Sequence, residues 1–303
     1  MRALTLSVML LAGCSPEKPP PREFDGVAAL RYIEAQLAFG PRIPGRPGHE
    51  RMAAWLDSLL ATRADTVIRQ GWAHRASSGD TLQLVNFVAR FNPAATTRIL
   101  LLAHWDTRPR ADGPMSRDTT LPVPGANDGA SGVAILLGVA DALKKSPPGI
   151  GVDLLFVDGE DYGDFDTNTD VLLGSRYYAE HQAPGSPPLF AVLFDMVGDK
   201  DLQITPEGLS QTAAPDVVDN VWSMAERLGL GNLFKREQGI TLTDDHVPLQ
   251  QAGIRAIDLI DFTFGGTDNK WHHTPDDTID KVSAASLQAV GDVAMAVIRT
   301  TKQ

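Results

Sequence analysis

The sequence predicts a three-layer α/β sandwich in which a mostly parallel central sheet is flanked by helices. Apolar runs at 99–103, 151–158 and 189–197 show little polar alternation, as strands buried on both faces do. Segments with helical apolar spacing separate them, and such alternation builds a parallel sheet with crossover helices. Length is the third indication. The 303 residues leave room for one domain of about 270 residues, here 25–303. Ordinary composition excludes a disordered or collagen-like chain.

Taken in order, 26–38 (GVAALRYIEAQLA) sets Val27, Leu30, Ile33 and Leu37 on one helical face. A Gly/Pro-rich loop, FGPRIPGRPGHE, follows, and 51–61 reads as a second helix. Strands are expected at 65–72, at 83–91 and over the buried run 99–103. The helix expected over 129–145 ends in Lys144 and Lys145, cations that suit the negative end of its dipole. A strand at 151–158, a helix at 175–181 and a strand at 189–197 come next. The chain closes with a helix at 216–228, a strand at 254–260 and a helix at 283–300, without an internal repeat or a second-domain linker.

Met1-Arg2 precedes an apolar run, Ala3 to Leu11, that ends in LLAGC. A bilayer-spanning helix needs about 20 apolar residues, so this run is expected to be a signal-peptide core. The LAGC ending resembles the bacterial lipobox, which implies a signal peptide over 1–13, a lipid on Cys14 and a Pro-rich tether over 14–24. The protein is then expected at a bacterial cell envelope, lipid-anchored and facing the periplasm or exterior. Cys14 is the only cysteine, which excludes an intramolecular disulfide. The net charge of −11 argues against nucleic-acid binding, which needs concentrated Lys and Arg.

In open α/β sheets, sites form beyond the carboxyl ends of the strands, and the chemistry-bearing residues fall there. They are His104-Trp105-Asp106 after the first buried strand, Asp158-Gly159-Glu160-Asp161 after the second and Asp195 after the third. Gly125-Ala126-Asn127-Asp128 opens the 129–145 helix, and Asp244-Asp245-His246 and Trp271-His272-His273-Thr274 come late in the chain. Singly, each has an ordinary explanation as a helix cap, a solvated turn or a surface pair. Together they converge on one sheet edge. Histidines and carboxylates without usable cysteine suit Zn²⁺ in an open catalytic site. The adjacent Glu160 and Asp161 suit a division of labour, one binding metal and the other moving protons.

In order, HWD, GAND, DGED, GSR at 174–176, Asp195, DDHVP at 244–248 and WHHT at 271–274 resemble the zinc aminopeptidase/exopeptidase superfamily, and within it the glutaminyl cyclase (glutaminyl-peptide cyclotransferase) branch. The resemblance runs over about 28–300. It implies a zinc exopeptidase-like fold and zinc ligation by Asp128, Asp161 and His273. It makes Glu160 the general acid/base, sets Asp195 and Asp244 in the network beside it, and lines the substrate pocket with Trp271 and Phe264. In its two-zinc aminopeptidases the positions of His104 and Asp195 hold a second metal, with Asp128 bridging.

Two departures bear on the ligand set. Asp161 stands where the family has Glu, one methylene shorter. The extra histidine of WHHT makes His273 the ligand when aligned on Thr274 and His272 when aligned on Trp271, and the alignment on Thr274 is preferred. The expected reaction converts N-terminal glutamine of peptides or proteins to pyroglutamate with release of ammonia. The alternatives are a one- or two-zinc aminopeptidase and a metal-free binding protein.

Overall fold

The computed structural model describes residues 22–302 apart from 114, 183, 184 and 186. The signal peptide, Cys14 and most of the expected tether lie outside the described residues. One sheet organises the fold. Its strands are β1 (Thr66–Arg75), β2 (Thr81–Phe91), β3 (Arg98–His104), β4 (Gly151–Val157), β5 (Ala191–Asp195) and β6 (Ala256–Ile260), in the spatial order β1-β2-β4-β3-β5-β6. The pairs β4–β3, β3–β5 and β5–β6 are parallel. The hairpin β1–β2 joins β4 antiparallel and forms one edge.

Side-chain alternation along the buried strands separates two cores. Leu101, Leu154, Phe156, Val192, Phe194 and Leu259 face a layer built from α1 (Gly26–Leu37), α2 (Pro47–Arg63), α3 (Ala130–Lys145), α6 (Pro215–Arg227) and α8 (Ala284–Thr300). Leu100, Leu102, Leu155, Val157 and Leu193 face the opposite layer, where Tyr178 of α4 (Leu173–Glu180) and Leu249 of α7 (His246–Gln251) close over them. The expected three-layer arrangement is therefore present. Among the described residues no helix is long and apolar enough to cross a membrane.

Element edges depart from expectation for local reasons. α2 starts at Pro47 rather than residue 51, because proline's fixed φ and missing N–H suit the first helical turn. The six-residue helices α5 (Gly208–Ala213) and α7 are too short to show a helical period in the sequence.

Residues 22–24, assigned to the tether by sequence, pack on the domain. Glu23 makes a two-point ion pair with Arg299 at 3.0 and 2.6 Å. The Gln288 amide donates to Phe24 O and accepts from Gly26 N, both at 2.9 Å. The Phe24 ring fills a notch that two glycines leave open. A Cβ on Gly138 of α3 or Gly291 of α8 would lie 2.4 or 2.3 Å from the ring. Phe24→Ala should thus cost about 3 kcal/mol of unfolding free energy, read from the urea midpoint, with metal uptake unchanged. An unshifted midpoint would show that this stretch does not hold the helical layer.

Candidate metal centre and active site

The carboxyl ends of β3, β4 and β5 place His104, the Glu160 turn and Asp195 along one edge. His104 is fully buried at the centre. Its Nε2 lies 3.1 Å from Asp128 Oδ1 and 3.2 Å from Asp195 Oδ1. Its Nδ1 lies 3.6 Å from both Glu160 Oε2 and Asp106 Oδ1. Gly129, next to Asp128, makes this approach possible, since a Cβ there would come within 2.5 Å of His104 Nε2.

Buried carboxylates shape the two loops that carry the acids. Asp106 accepts the backbone N–H of Glu160 at 3.0 Å and of Asp161 at 3.1 Å, holding the turn after β4. Asp277 accepts the N–H groups of Asn127 at 2.7 Å and Asp128 at 3.1 Å, fixing the entry to α3. Behind that loop the buried guanidinium of Arg42 donates to Pro124 O at 2.6 Å and Gly125 O at 2.7 Å. Beneath the Asp244–Asp245 turn, His246 is anchored 3.2 Å from Glu207 Oε2.

Both late histidines meet Asp128. His273 Nε2 is 3.6 Å from Asp128 Oδ2 and 3.3 Å from Asp161 Oδ1. His272 Nε2 is 3.9 Å from Asp128 Oδ2. His273 thus lies within ion-pair reach of both Asp128 and Asp161, the partner acids expected of the ligand aligned on Thr274. Two candidate groups, Asp128–His272–His273 and His104–Asp128–Asp195, each keep their donor atoms within 4.8 Å of one another and share Asp128. Asp161 Oδ2 is buried without a hydrogen-bond partner, an acceptor the protein itself does not use. Imidazole nitrogens with carboxylate oxygens form the donor set a zinc ion takes. The residues fit such a group.

Two residues absent from the sequence expectation hold this cluster. Arg108 donates to Asp161 Oδ1 at 2.9 Å and grips Asp112 through two bonds of 2.6 and 2.7 Å. Asp112 Oδ1 in turn lies 3.4 Å from His273 Nδ1. Arg108 and Asp112 therefore tie Asp161 to His273. They follow HWD in the sequence, HWDTRPRAD, but one of two arginines in a loop gives no signal of its own. Asp106 stands inside the HWD motif, and Asp277 three residues beyond WHHT, both without an expected role.

A cavity of about 690 Å³ opens onto these groups, lined by Asp128, Glu160, Asp195, Asp244, His272 and His273 among others, with Phe165 and Phe262 as its aromatic walls. Phe264 and Trp271, expected in the pocket, are not among its lining residues. Phe264 is fully buried, and Trp271 packs edge-on against it at 5.4 Å between ring centroids. The reason is the glycine pair after Phe264, which folds the chain so that Gly265 lies against the Trp271 ring. His272 then takes the wall position.

Charge follows burial. Glu160 is pushed well above the carboxylate range by desolvation and by Asp161, Asp244 and Asp245, with His104 opposing. Desolvation, then Asp195 and Asp245, raises Asp244 in the same way. Asp195 is raised chiefly by burial, against the hydrogen bond from His104. Burial also tends to raise Asp128, but His104, His273 and His272 hold it well below the usual range. His273 rises to about 9 because Asp161, Asp112 and Asp128 outweigh its desolvation. His272, largely desolvated and next to His273, falls to about 3.

A profile of peptidase family M28 matches residues 86–298. A glutaminyl cyclase from Bacteroides thetaiotaomicron, solved bound to N-acetylhistamine, superposes with a TM-score of 0.87 at 35% identity over 94% of this chain and 100% of that one. A leucine aminopeptidase precursor from the same organism gives 0.86 at 35% identity over 92% of this chain and 98% of that one. The aminopeptidase YwaD of Bacillus subtilis (strain 168) is 29% identical over 212 residues, which cover 66% of this chain. This chain spans only 40% of the length of that relative.

Two measurements test this geometry. Arg108→Ala should weaken Zn²⁺ affinity about 10- to 100-fold in competition with a chromophoric chelator. Unchanged affinity would make the Arg108–Asp112 bridge irrelevant to the centre. In chelator, the metal-free protein should lose thermal stability from pH 7 to 9. Burial raises Asp277 to about 8 and Asp245 to about 7, and His273 stands at about 9. The native state then holds protons that the unfolded chain has released, so stability falls as pH rises. A flat or rising melting temperature across that window would contradict the buried charge pattern.

Proposed function

Because the chain belongs to peptidase family M28, we propose that it is a zinc-dependent glutaminyl-peptide cyclotransferase. Its substrate is a peptide or protein with N-terminal glutamine, and its products are the pyroglutamyl chain and ammonia. The observation that carries this reading is Asp244. Its carboxyl lines the catalytic cavity with Glu160 and Asp195, and all three are raised above the ordinary range. Carboxyls of raised proton affinity can take up a proton and return it, which is the main task of an intramolecular cyclisation. The similarity to the Bacteroides glutaminyl cyclase over nearly the whole of both chains supports it.

Zinc, held by Asp128, Asp161 and His273, would supply Lewis acidity toward the side-chain amide oxygen of the glutamine. Glu160, as carboxylate, accepts a proton from the α-amine nitrogen as that nitrogen bonds to the amide carbon. The same carboxyl returns the proton to the departing nitrogen as the carbon–nitrogen bond breaks, so ammonia leaves and Glu160 is regenerated. Neighbouring Asp244 and Asp245 keep its proton affinity high enough for both transfers. The aromatic walls of the cavity, Phe165 and Phe262, would hold the glutamine folded toward its own amine.

A second reading, an aminopeptidase, has its own support in the group His104–Asp128–Asp195, which shares Asp128 with the first. It is also the activity named for two of the relatives. There Glu160 would deprotonate a water for attack on the first peptide bond.

The two readings part on a pair of peptides beginning with Gln and with Leu, incubated with the zinc-loaded protein. Cyclisation predicts loss of one ammonia from the Gln peptide and an unchanged Leu peptide. Free leucine, with the Gln peptide shortened, would replace this proposal by the second. In either case Glu160→Gln should lower kcat about 10²- to 10⁴-fold with zinc content retained. Activity close to wild type in that variant would remove Glu160 from its role.

A further inference from the structure

Beside the catalytic cavity lies a second one of about 540 Å³, and the two share Ile260, Phe262 and His272 as walls. The partition is a pair of rings. His272 stacks on His273 at 3.7 Å and meets Phe262 at 5.1 Å, tilted by 59°. Beyond it the wall is apolar along Ile240, Ile260 and Phe262, and Ile240 is 44% exposed. Glu237 and Asp268, both exposed, also line this cavity. Among the described residues no lysine or arginine lines it. Asn269, in the same wall, buries a side-chain amide with neither nitrogen nor oxygen hydrogen-bonded, a bonding capacity the chain does not use.

A residue bound with its α-amine at Glu160 must send the rest of its chain out past a wall of the catalytic cavity. The wall formed by His272 and Phe262 leads into this second space. An apolar channel with acidic groups suits a long side chain with an aliphatic stem and a cationic head. We propose that the second cavity is the subsite for the residue following the N-terminal glutamine, and that it selects lysine or arginine there over acidic residues. The stem would lie along Ile240, Ile260 and Phe262, with the head beside Glu237 and Asp268. This rests on the reading that the protein acts on peptide N-termini.

The test uses the zinc-loaded full chain and the tripeptides Gln-Arg-Ala, Gln-Ala-Arg, Gln-Ala-Ala and Gln-Glu-Ala, with KM and kcat read separately from ammonia release. Gln-Arg-Ala and Gln-Ala-Arg carry the same charge, so a difference between them reports position and not the overall acidity of the protein. The subsite predicts a KM about three- to five-fold lower for Gln-Arg-Ala, with similar kcat, and the highest KM for Gln-Glu-Ala. Glu237→Gln with Asp268→Asn should erase the difference. Glu34→Gln with Glu180→Gln, an equal charge change at exposed sites outside the cavity lining, should leave it intact. Equal KM values for the two arginine peptides would overturn the assignment, as would a preference that survives the Glu237/Asp268 pair. If the wild type releases free glutamine instead of ammonia, the cyclase reading fails. The same KM ranking, measured on that cleavage, still decides the subsite.

Discussion

Everything at the working end of this fold depends on burying more negative charge than the protein neutralises alone. Asp106, Asp128, Asp161, Asp195, Asp244, Asp245 and Glu160 are all nearly or fully buried at one sheet edge. Isolated buried carboxylates are costly, so they must be paired, protonated or bound to a metal. His104 meets four of them, and Arg108 and His273 serve Asp161. Desolvation and neighbouring acids still drive Glu160, despite His104 beside it, and Asp244 toward their protonated forms. One edge thus divides into a cation-binding half and a proton-holding half, and that division is what both candidate reactions need.

The fold prepares this arrangement through backbone, not through the acids alone. Parallel strands bring His104, the Glu160 turn and Asp195 into line. The carboxylates of Asp106 and Asp277 then spend their bonds on backbone N–H groups of the very turns that carry Glu160, Asp161 and Asp128. A third device is the buried Arg42, which clamps the carbonyls leading into the Asp128 loop. These contacts fix the donor atoms before any ion arrives, and preorganisation of that kind is where a metal centre gains affinity and an active site gains rate.

Much of this was legible in the sequence because it is written in periodicity and order. Apolar runs with little polar alternation revealed β3, β4 and β5, and an acid or histidine at the end of each run pointed to the site edge. The ordered motifs gave Glu160 and Asp161 different expected roles, which composition cannot. Other features depend on long-range packing and leave no local trace. Phe24 belongs to the helical layer because of glycines at 138 and 291, more than a hundred residues away. Arg108 and Asp112 matter only because the loop returns them to Asp161 and His273. Phe264 and Trp271 looked like pocket aromatics, yet the Gly265 turn folds them onto each other, and Phe262 and His272 line the cavity instead. A motif preserves which residues are near the site. It does not preserve which way a Gly-containing loop turns them.

The most direct test of the central claim is the position of zinc by anomalous scattering from crystals grown with the metal. The account predicts an anomalous peak enclosed by Asp128, Asp161 and His273, with Glu160 beside it and not ligated. An absence of density there, or a dominant peak between His104 and Asp195, would contradict the division of the edge into metal-holding and proton-holding halves.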